Sequence, residues 1–180
     1  MLDHAWLHGL VDPDDQVRAR ALECQRAHAN DDRGFAGLIA AFLDVWSPGM
    51  EFASFALLFL RWEALRAGEW RDRNAHAYSP WSIKEQVLRR FAVGGVPDEL
   101  RSEAADLVLT AIRRPYRCKD WRYAGLVHHV PTEAFRPSVD DPDPLVSARA
   151  QFLVHVADHP GRPLTRTTWP RWLAVRTDVR

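Results

Sequence analysis

"DPDDQVRARA", Asp12 to Ala21, is written again as "DPDPLVSARA", Asp141 to Ala150, with seven of ten residues unchanged. Both copies read as the start of a helix. Asp12 and Asp141 suit the N-cap, where a short carboxylate accepts from first-turn amides that lack a partner inside the helix. Pro13 and Pro142 suit the first helical position, where a missing N–H costs nothing. Asp14 and Asp143 add negative charge at the positive end of the helix dipole. Beyond them, Val17, Ala21, Cys24 and His28 step by four, three and four, and Val146, Ala150, Leu153 and Ala157 repeat those steps. That is the 3.6-residue period of a helix with one buried stripe. It puts Cys24 inside as a free thiol.

The same period runs outward from both copies. Phe35, Leu38, Ile39, Phe42, Leu43 and Trp46 share a face, and "SPG" closes that helix. From Met50 to Arg66, Phe52, Phe55, Phe59 and Trp62 lie on one side, with Leu57, Leu58 and Leu60 on the others. A helix apolar nearly all round belongs at the centre. Ala67 to Pro80 is the longest polar connection. Ser79 and Pro80 restart a helix with Ile83, Val87, Leu88 and Phe91, which "GG" ends. Pro97 opens another with Leu100, Ala104, Leu107, Val108 and Ala111, broken by "RRPYR". A helix over about 119–129, a turn through "PTEAF", the helix of the second copy and a short C-terminal helix capped by Thr168 complete the chain. No alternating strand pattern persists. The expectation is an all-α chain of six to eight helices, forming one domain over residues 1–180.

Asp12, Pro13, Asp14, Val17, Arg18 and Ala21 spell DPDxxVRxxA. This resembles the helix start of HEAT-like repeats of the phycobilisome-lyase type. The second copy keeps Asp141, Pro142, Asp143 and Val146, with Ala150 in place, and has Ser147 where the family has Arg. A worn third version is "VPDELRSEAADL", with Pro97, Asp98, Leu100, Arg101 and Ala104. The resemblance implies an irregular stack of HEAT-like helical hairpins, each burying a face against its neighbour. A favourable helix start used twice, without repeat architecture, is the plainer alternative.

Composition narrows the function classes. A chain of 180 residues that is 47% hydrophobic can bury a sizeable core. Lys plus Arg equals Asp plus Glu at 24 each, so no global field points to a polyanion or a membrane surface. Cys24 and Cys118 alone make neither a disulfide framework nor a zinc site. The N-terminal "MLDHAWLHGL" lacks the features of a signal peptide, and the longest apolar run, Phe52 to Leu60, is too short to span a bilayer. A cytoplasmic protein with no membrane partner is expected. Glycine-loop, dinucleotide, nucleophile-elbow and HExxH motifs are all absent from the sequence. His4 with His8 and His155 with His159 have i, i+4 spacing, yet no third ligand is marked. No metal, no cofactor and no catalytic residue are therefore assigned.

Charge is uneven along the chain: residues 1–60 carry a net −5, 61–130 a net +4 and the remainder +1. Asp31 and Asp32 represent an acidic edge that would dock on a basic partner. The stretch "RRPYRCKDWRY", Arg113 to Tyr123, mixes five cations with three aromatics. It nominates Arg114, Arg117 and Trp121 as partner-binding residues, and "EWRDRNAHAY" adds Trp70. Solvated helix caps and an ordinary helix–helix loop are the alternatives for both features. Eight Trp in one chain also ask for places, in the core or as surface anchors. Together these point to a non-enzymatic helical-repeat module that binds a protein. Its size, neutrality and helical scaffold resemble those of immunity partners of bacterial toxins. A second reading is a nucleic-acid-acting protein, because Asp120 and Trp121 in "KDWRY" resemble features of HEAT-like alkylpurine DNA glycosylases. A third is a small enzyme with an unmarked helical pocket.

Overall fold

The computed structural model describes residues 4–44 and 50–177, with side chains through Val175. The regular structure of these residues is entirely helical, as the periodicity implied. The α-helices are α1 (Asp15–Ala27), α2 (Phe35–Leu43), α3 (Ala53–Leu65), α4 (Ala67–Trp70), α5 (Pro80–Gly94), α6 (Arg101–Arg113), α7 (Pro144–Asp158) and α8 (Thr168–Thr177). Shorter 3-10 segments connect them. Among the described residues no helix is long and apolar enough to cross a membrane. The sequence suggested one domain over residues 1–180; within the chain two compact units are distinguished, Met1–Val87 and Leu88–Arg180, divided within α5.

Both copies of the opening decapeptide do start helices, two residues later than expected. Asp14, not Asp12, is the N-cap of α1: its Oδ1 accepts from the amides of Gln16 at 2.7 Å and Val17 at 3.2 Å. Asp12 Oδ1 instead accepts from the Asp14 amide at 2.8 Å. The second copy repeats this geometry. Asp143 Oδ1 accepts from Leu145 at 2.8 Å and Val146 at 3.4 Å, and Asp141 Oδ1 accepts from the Asp143 amide at 3.0 Å. Pro13 and Pro142 therefore lie in the bend before each helix, and Pro144 takes the first helical position of α7. The two backbone amides held by Asp14 place its pKa below the ordinary value.

In the first unit, α3 is central as predicted, with Ala53, Ala56, Leu57, Leu58, Phe59, Leu60, Trp62 and Ala64 buried around its circumference. α2 packs against it through Phe35, whose ring meets Phe59 edge-on at 5.3 Å and stacks on Trp62 at 5.9 Å. Trp46 and the "SPG" stop lie outside the described residues. The stretch read as a polar connection is instead α4 and a 3-10 turn, Arg73–Ala75, and it sends Trp70 and Ala75 fully into the core. Burying an indole removes about 150–250 Å² from water, roughly 4–6 kcal/mol at 25 cal per Å² before entropy is counted. That outweighs the polar neighbours on the same short segment.

The interior of this unit is not wholly apolar. Lys84 on α5 bonds Glu63 on α3 at 3.1 Å, and neither side chain has exposed surface. α1 also buries polar groups. Its inner face is Arg18, Ala21, Leu22 and Gln25, so Cys24 points outward and is exposed rather than buried.

In the second unit, α6 buries Ala104, Ala105, Leu107, Val108, Ala111 and Ile112, and α7 buries Val146, Ala148, Arg149, Ala150, Phe152 and Leu153. The predicted helix near 119–129 is a 3-10 segment, Asp120–His129, preceded by Lys119 in the left-handed region at φ 68°. Gly95, at φ 86°, ends α5 with its amide on Phe91 O at 2.9 Å, the left-handed stop that glycine adopts freely. α8 is fastened to α7 by Trp172, whose Nε1 donates to Ala148 O at 3.0 Å, and by Trp169, edge-on to Phe152 at 5.0 Å.

Candidate functional site

The residues expected to bind a partner fall in both units, and the two tryptophans among them are buried. Trp70 lies in the first unit with no exposed area, enclosed by Phe59, His76 and Trp81 at 5.5, 5.6 and 4.9 Å. Trp121 lies in the second unit, 7% exposed, with the Arg122 guanidinium 4.1 Å above its ring. Neither is a surface anchor; both fill interiors.

Arg114 and Asp120 form an internal clamp. The guanidinium donates to both carboxylate oxygens, at 2.8 and 3.0 Å, and the Arg117 amide donates to Asp120 Oδ2 at 2.6 Å. The two side chains are only 9% and 5% exposed. Arg149 closes the other side, with Nη1 donating to Ile112 O and Arg114 O, both at 2.8 Å. These carbonyls end α6, so a cation there satisfies orphan acceptors and complements the helix dipole. Burial lowers the Arg149 pKa. With both oxygens engaged, Asp120 has the geometry of a fastening for the 114–120 loop, not of a base facing substrate.

Asp31 is likewise locally engaged. It accepts from the Arg33 amide at 2.9 Å and meets His28 Nδ1 at 3.0 Å and Arg33 Nη2 at 3.2 Å. The amide first, and His28 next, pull its carboxyl down to about 2. Asp32 is exposed, and its carbonyl meets His4 Nε2 at 3.2 Å. Much of the acidic N-terminal third is thus capping and local pairing: Asp12 and Asp14 at the start of α1, Asp15 on Arg18, Asp31 on Arg33. Among the described residues no group of three or more His, Cys, Asp or Glu could hold a metal ion.

One pocket was not visible in the sequence. It belongs to the first unit and has a volume of 560 Å³, within the range of known ligand sites. One wall is the Phe35, Ala36, Ile39 and Ala40 side of α2; the facing wall is Ser82, Ile83 and Gln86 of α5. Phe59 of α3 and the Ala75–Ser79 loop complete it. Gln25 fixes one corner, donating to Ala75 O at 2.8 Å and accepting from Phe35 N at 3.3 Å. That second bond satisfies a first-turn amide of α2, whose N-cap Gly34 has no side chain to do so. Gly34 is required there because a Cβ would lie 2.2 Å from His28 O.

His76 is the distinctive polar group of the pocket. Its Nε2 lies 2.6 Å from Trp70 O. A carbonyl only accepts, so Nε2 carries the hydrogen and Nδ1 the lone pair of the neutral ring. Phe59, Trp62 and Trp70 surround the imidazole at 6.0, 5.5 and 5.6 Å, and burial lowers its pKa. Among the described residues no carboxylate, lysine or cysteine lines the pocket. Tyr78, at its edge, is 77% exposed. The arrangement suits holding an apolar group with one hydrogen-bond acceptor nearby. It lacks the paired acid and base of a hydrolytic site.

No family model, no curated protein and no solved structure matches this chain.

Proposed function

We propose that this chain is a non-enzymatic, helical-repeat protein-binding module whose recognition element is the apolar pocket of the first unit. The pocket receives one bulky apolar side chain of a protein partner. The observation that carries this reading is the pocket's anatomy. Its α2 side and Phe59 are apolar, its polar groups are Gln25, His76, Ser79, Ser82 and Gln86, and a large aromatic, Tyr78, stands exposed beside it. Buried apolar pockets rimmed by polar and aromatic groups are where interface side chains contribute most. The partner class is a basic protein such as a bacterial toxin, to which the chain would confer immunity; the net −5 of residues 1–60 supports that choice. A cytoplasmic location belongs to the same reading, supported by two exposed, unpaired cysteines.

The test is methyl-detected NMR with N-acetyl-tryptophanamide as the probe. Saturable shifts are expected at Ala36, Ile39, Ala40 and Ile83, with none from N-acetyl-glycinamide. Ala40→Trp, at an exposed position on the α2 wall, should fill the pocket and abolish them. Shifts that are absent, or that persist in A40W, would end the proposal. A protein captured from a lysate supports it only if A40W loses that protein.

A further inference from the structure

α7 ends at Asp158, and the chain then turns into α8. Between Asp158 and Asp178 the sequence carries Arg162, Arg166, Arg171 and Arg176 and no carboxylate. Here, within the second unit, is a cavity of 640 Å³. Its apolar surface comes from Phe152, Val156, Leu164, Trp172 and Val175, and its polar surface from His155, His159, Arg162, Thr168 and Arg171. Among the described residues no acidic one lines it. The nearest in sequence, Asp158, is exposed and is not part of the wall.

The walls are held from behind. Trp172 stacks on His155 at 4.8 Å while its Nε1 is fixed to Ala148 O. His159 lies against His155 at 4.2 Å and donates from Nδ1 to His155 O at 2.8 Å. Arg162 Nη1 lies 3.5 Å from His155 Nε2. A guanidinium has no lone pair, so in that contact only the His155 nitrogen could accept. A contact of this length is at the limit of a hydrogen bond and uses one of five N–H donors. Two guanidiniums therefore flank a cavity whose other polar groups are His155, His159 and Thr168, with no carboxylate among the described residues of its lining. The first turn of α8 adds the positive end of a ten-residue helix on the same side. An apolar ligand would leave the cations uncompensated, and a small inorganic anion would leave the aromatic surface uncovered.

We propose that the α7–α8 cavity binds a small amphipathic anion: a hydrocarbon or aromatic body against Phe152, Val156 and Trp172, with a carboxylate or phosphate head held by Arg162 and Arg171. A guanidinium matches either head with paired N–H donors. The site is separate from the pocket of the first unit and does not depend on the function proposed for it.

Calorimetry and methyl NMR with octanoate, octanamide and inorganic phosphate test this. Octanoate should bind saturably and shift the Val156, Leu164 and Val175 methyls. Octanamide, with the same body and no charge, should bind about tenfold more weakly or worse, and phosphate alone should not bind. Arg162 and Arg171 are exposed, so the double variant R162Q/R171Q should fold normally, lose about tenfold or more in octanoate affinity and leave octanamide unchanged. Arg89→Gln is the exposed control and should have no effect. Equal binding of acid and amide, or an unaffected double variant, would overturn the proposal. So would binding to phosphatidylglycerol vesicles with none to free octanoate, which would assign the cations to a lipid surface.

Discussion

Asp120→Asn separates a structural aspartate from a functional one. Asn keeps the shape and one acceptor but removes the charge from the Arg114 fork, whose bonds are 2.8 and 3.0 Å, and weakens the acceptor of the 2.6 Å bond from Arg117 N. Hydrogen bonds to a charged group contribute about 1.5–3 kcal/mol each, and removing one partner of a buried ion pair costs about 3–5 kcal/mol. Because Asn retains an acceptor, the loss should lie near the lower end, about 3 kcal/mol. At about 2–4 °C per kcal/mol for a chain of this size, the melting temperature should fall by roughly 6–12 °C. Circular dichroism at 222 nm measures it. Arg114→Gln should cost a similar amount, and the double variant should cost clearly less than the sum, with a coupling of at least about 1 kcal/mol. Were Asp120 a base in a nucleic-acid site, D120N would melt like the parent and lose only activity. A melting temperature within about 2 °C of the parent, or strictly additive variants, would refute the clamp.

Other perturbations test other parts of the structure. Asp143→Ala should destabilise by about 1 kcal/mol by removing the N-cap of α7, and Asp141→Ala by less; the reverse order in urea unfolding would restore the earlier helix start. Carbon-detected titration of Asp31 should find a midpoint near 2. Its folded pKa is depressed, so its contribution to stability is complete above the unfolded value of 3.8 and is lost as pH falls toward 2. His76 is also depressed, by burial. The parent should therefore lose stability as pH falls below 6.5, because the unfolded chain takes up the proton first. His76→Gln should flatten that slope, and equal slopes in the two proteins would show that His76 is not its source. Gly34→Ala should lower the melting temperature sharply, since its Cβ would meet His28 O at 2.2 Å, whereas Gly68→Ala meets nothing within 4 Å and should be neutral or stabilising.

The sequence was most legible where a buried face is apolar. α2, α3, α6 and α7 follow their 3.6-residue stripes closely, because Phe, Leu, Ile and Val mark the inside directly. It was least legible where polar groups are buried with partners. Lys84 sits among Ile83, Val87 and Leu88, and hydropathy alone assigns it to solvent; Glu63, 21 residues away, and the Trp81 ring at 5.6 Å help explain its place. Gln25 and Arg18 shift the inner face of α1 by one position for the same reason, and Cys24 is turned outward as a result. Trp70 was misplaced differently. Its short helix spans only four residues, too few to show a period, so its charged neighbours dominated the reading. The pocket could not be read at all, because its walls come from five segments that meet only in the folded unit.

The twice-written decapeptide shows how far such identity reaches. Each copy builds the same entrance: the first Asp holds the third residue, the third residue caps the helix, and valine supplies an amide to that cap. Beyond the entrance the copies diverge. In the first, Arg18 is buried and turns back on the carbonyls of Asp12 and Pro13 at 2.9 and 3.0 Å, while Arg20 is exposed. In the second, the residue matching Arg20 is Arg149, which is buried and caps the far end of α6. Val17 is exposed and Val146 is buried; of the ten positions only Ala21 and Ala150 are buried in both. Capping needs only local geometry, so the same residues serve wherever a helix begins. Which face is buried depends on what lies beside the helix, and the two neighbourhoods differ. If the copies were interchangeable beyond the entrance, exchanging Arg18 and Ser147 between them would be tolerated. The structure instead predicts that Arg18→Ser costs stability, because four bonds to Asp12, Pro13, Asp15 and Glu69 are lost. Ser147→Arg must displace the hydroxyl that bonds Val139 O. Two single variants with parental melting temperatures would show that the copies are interchangeable after all.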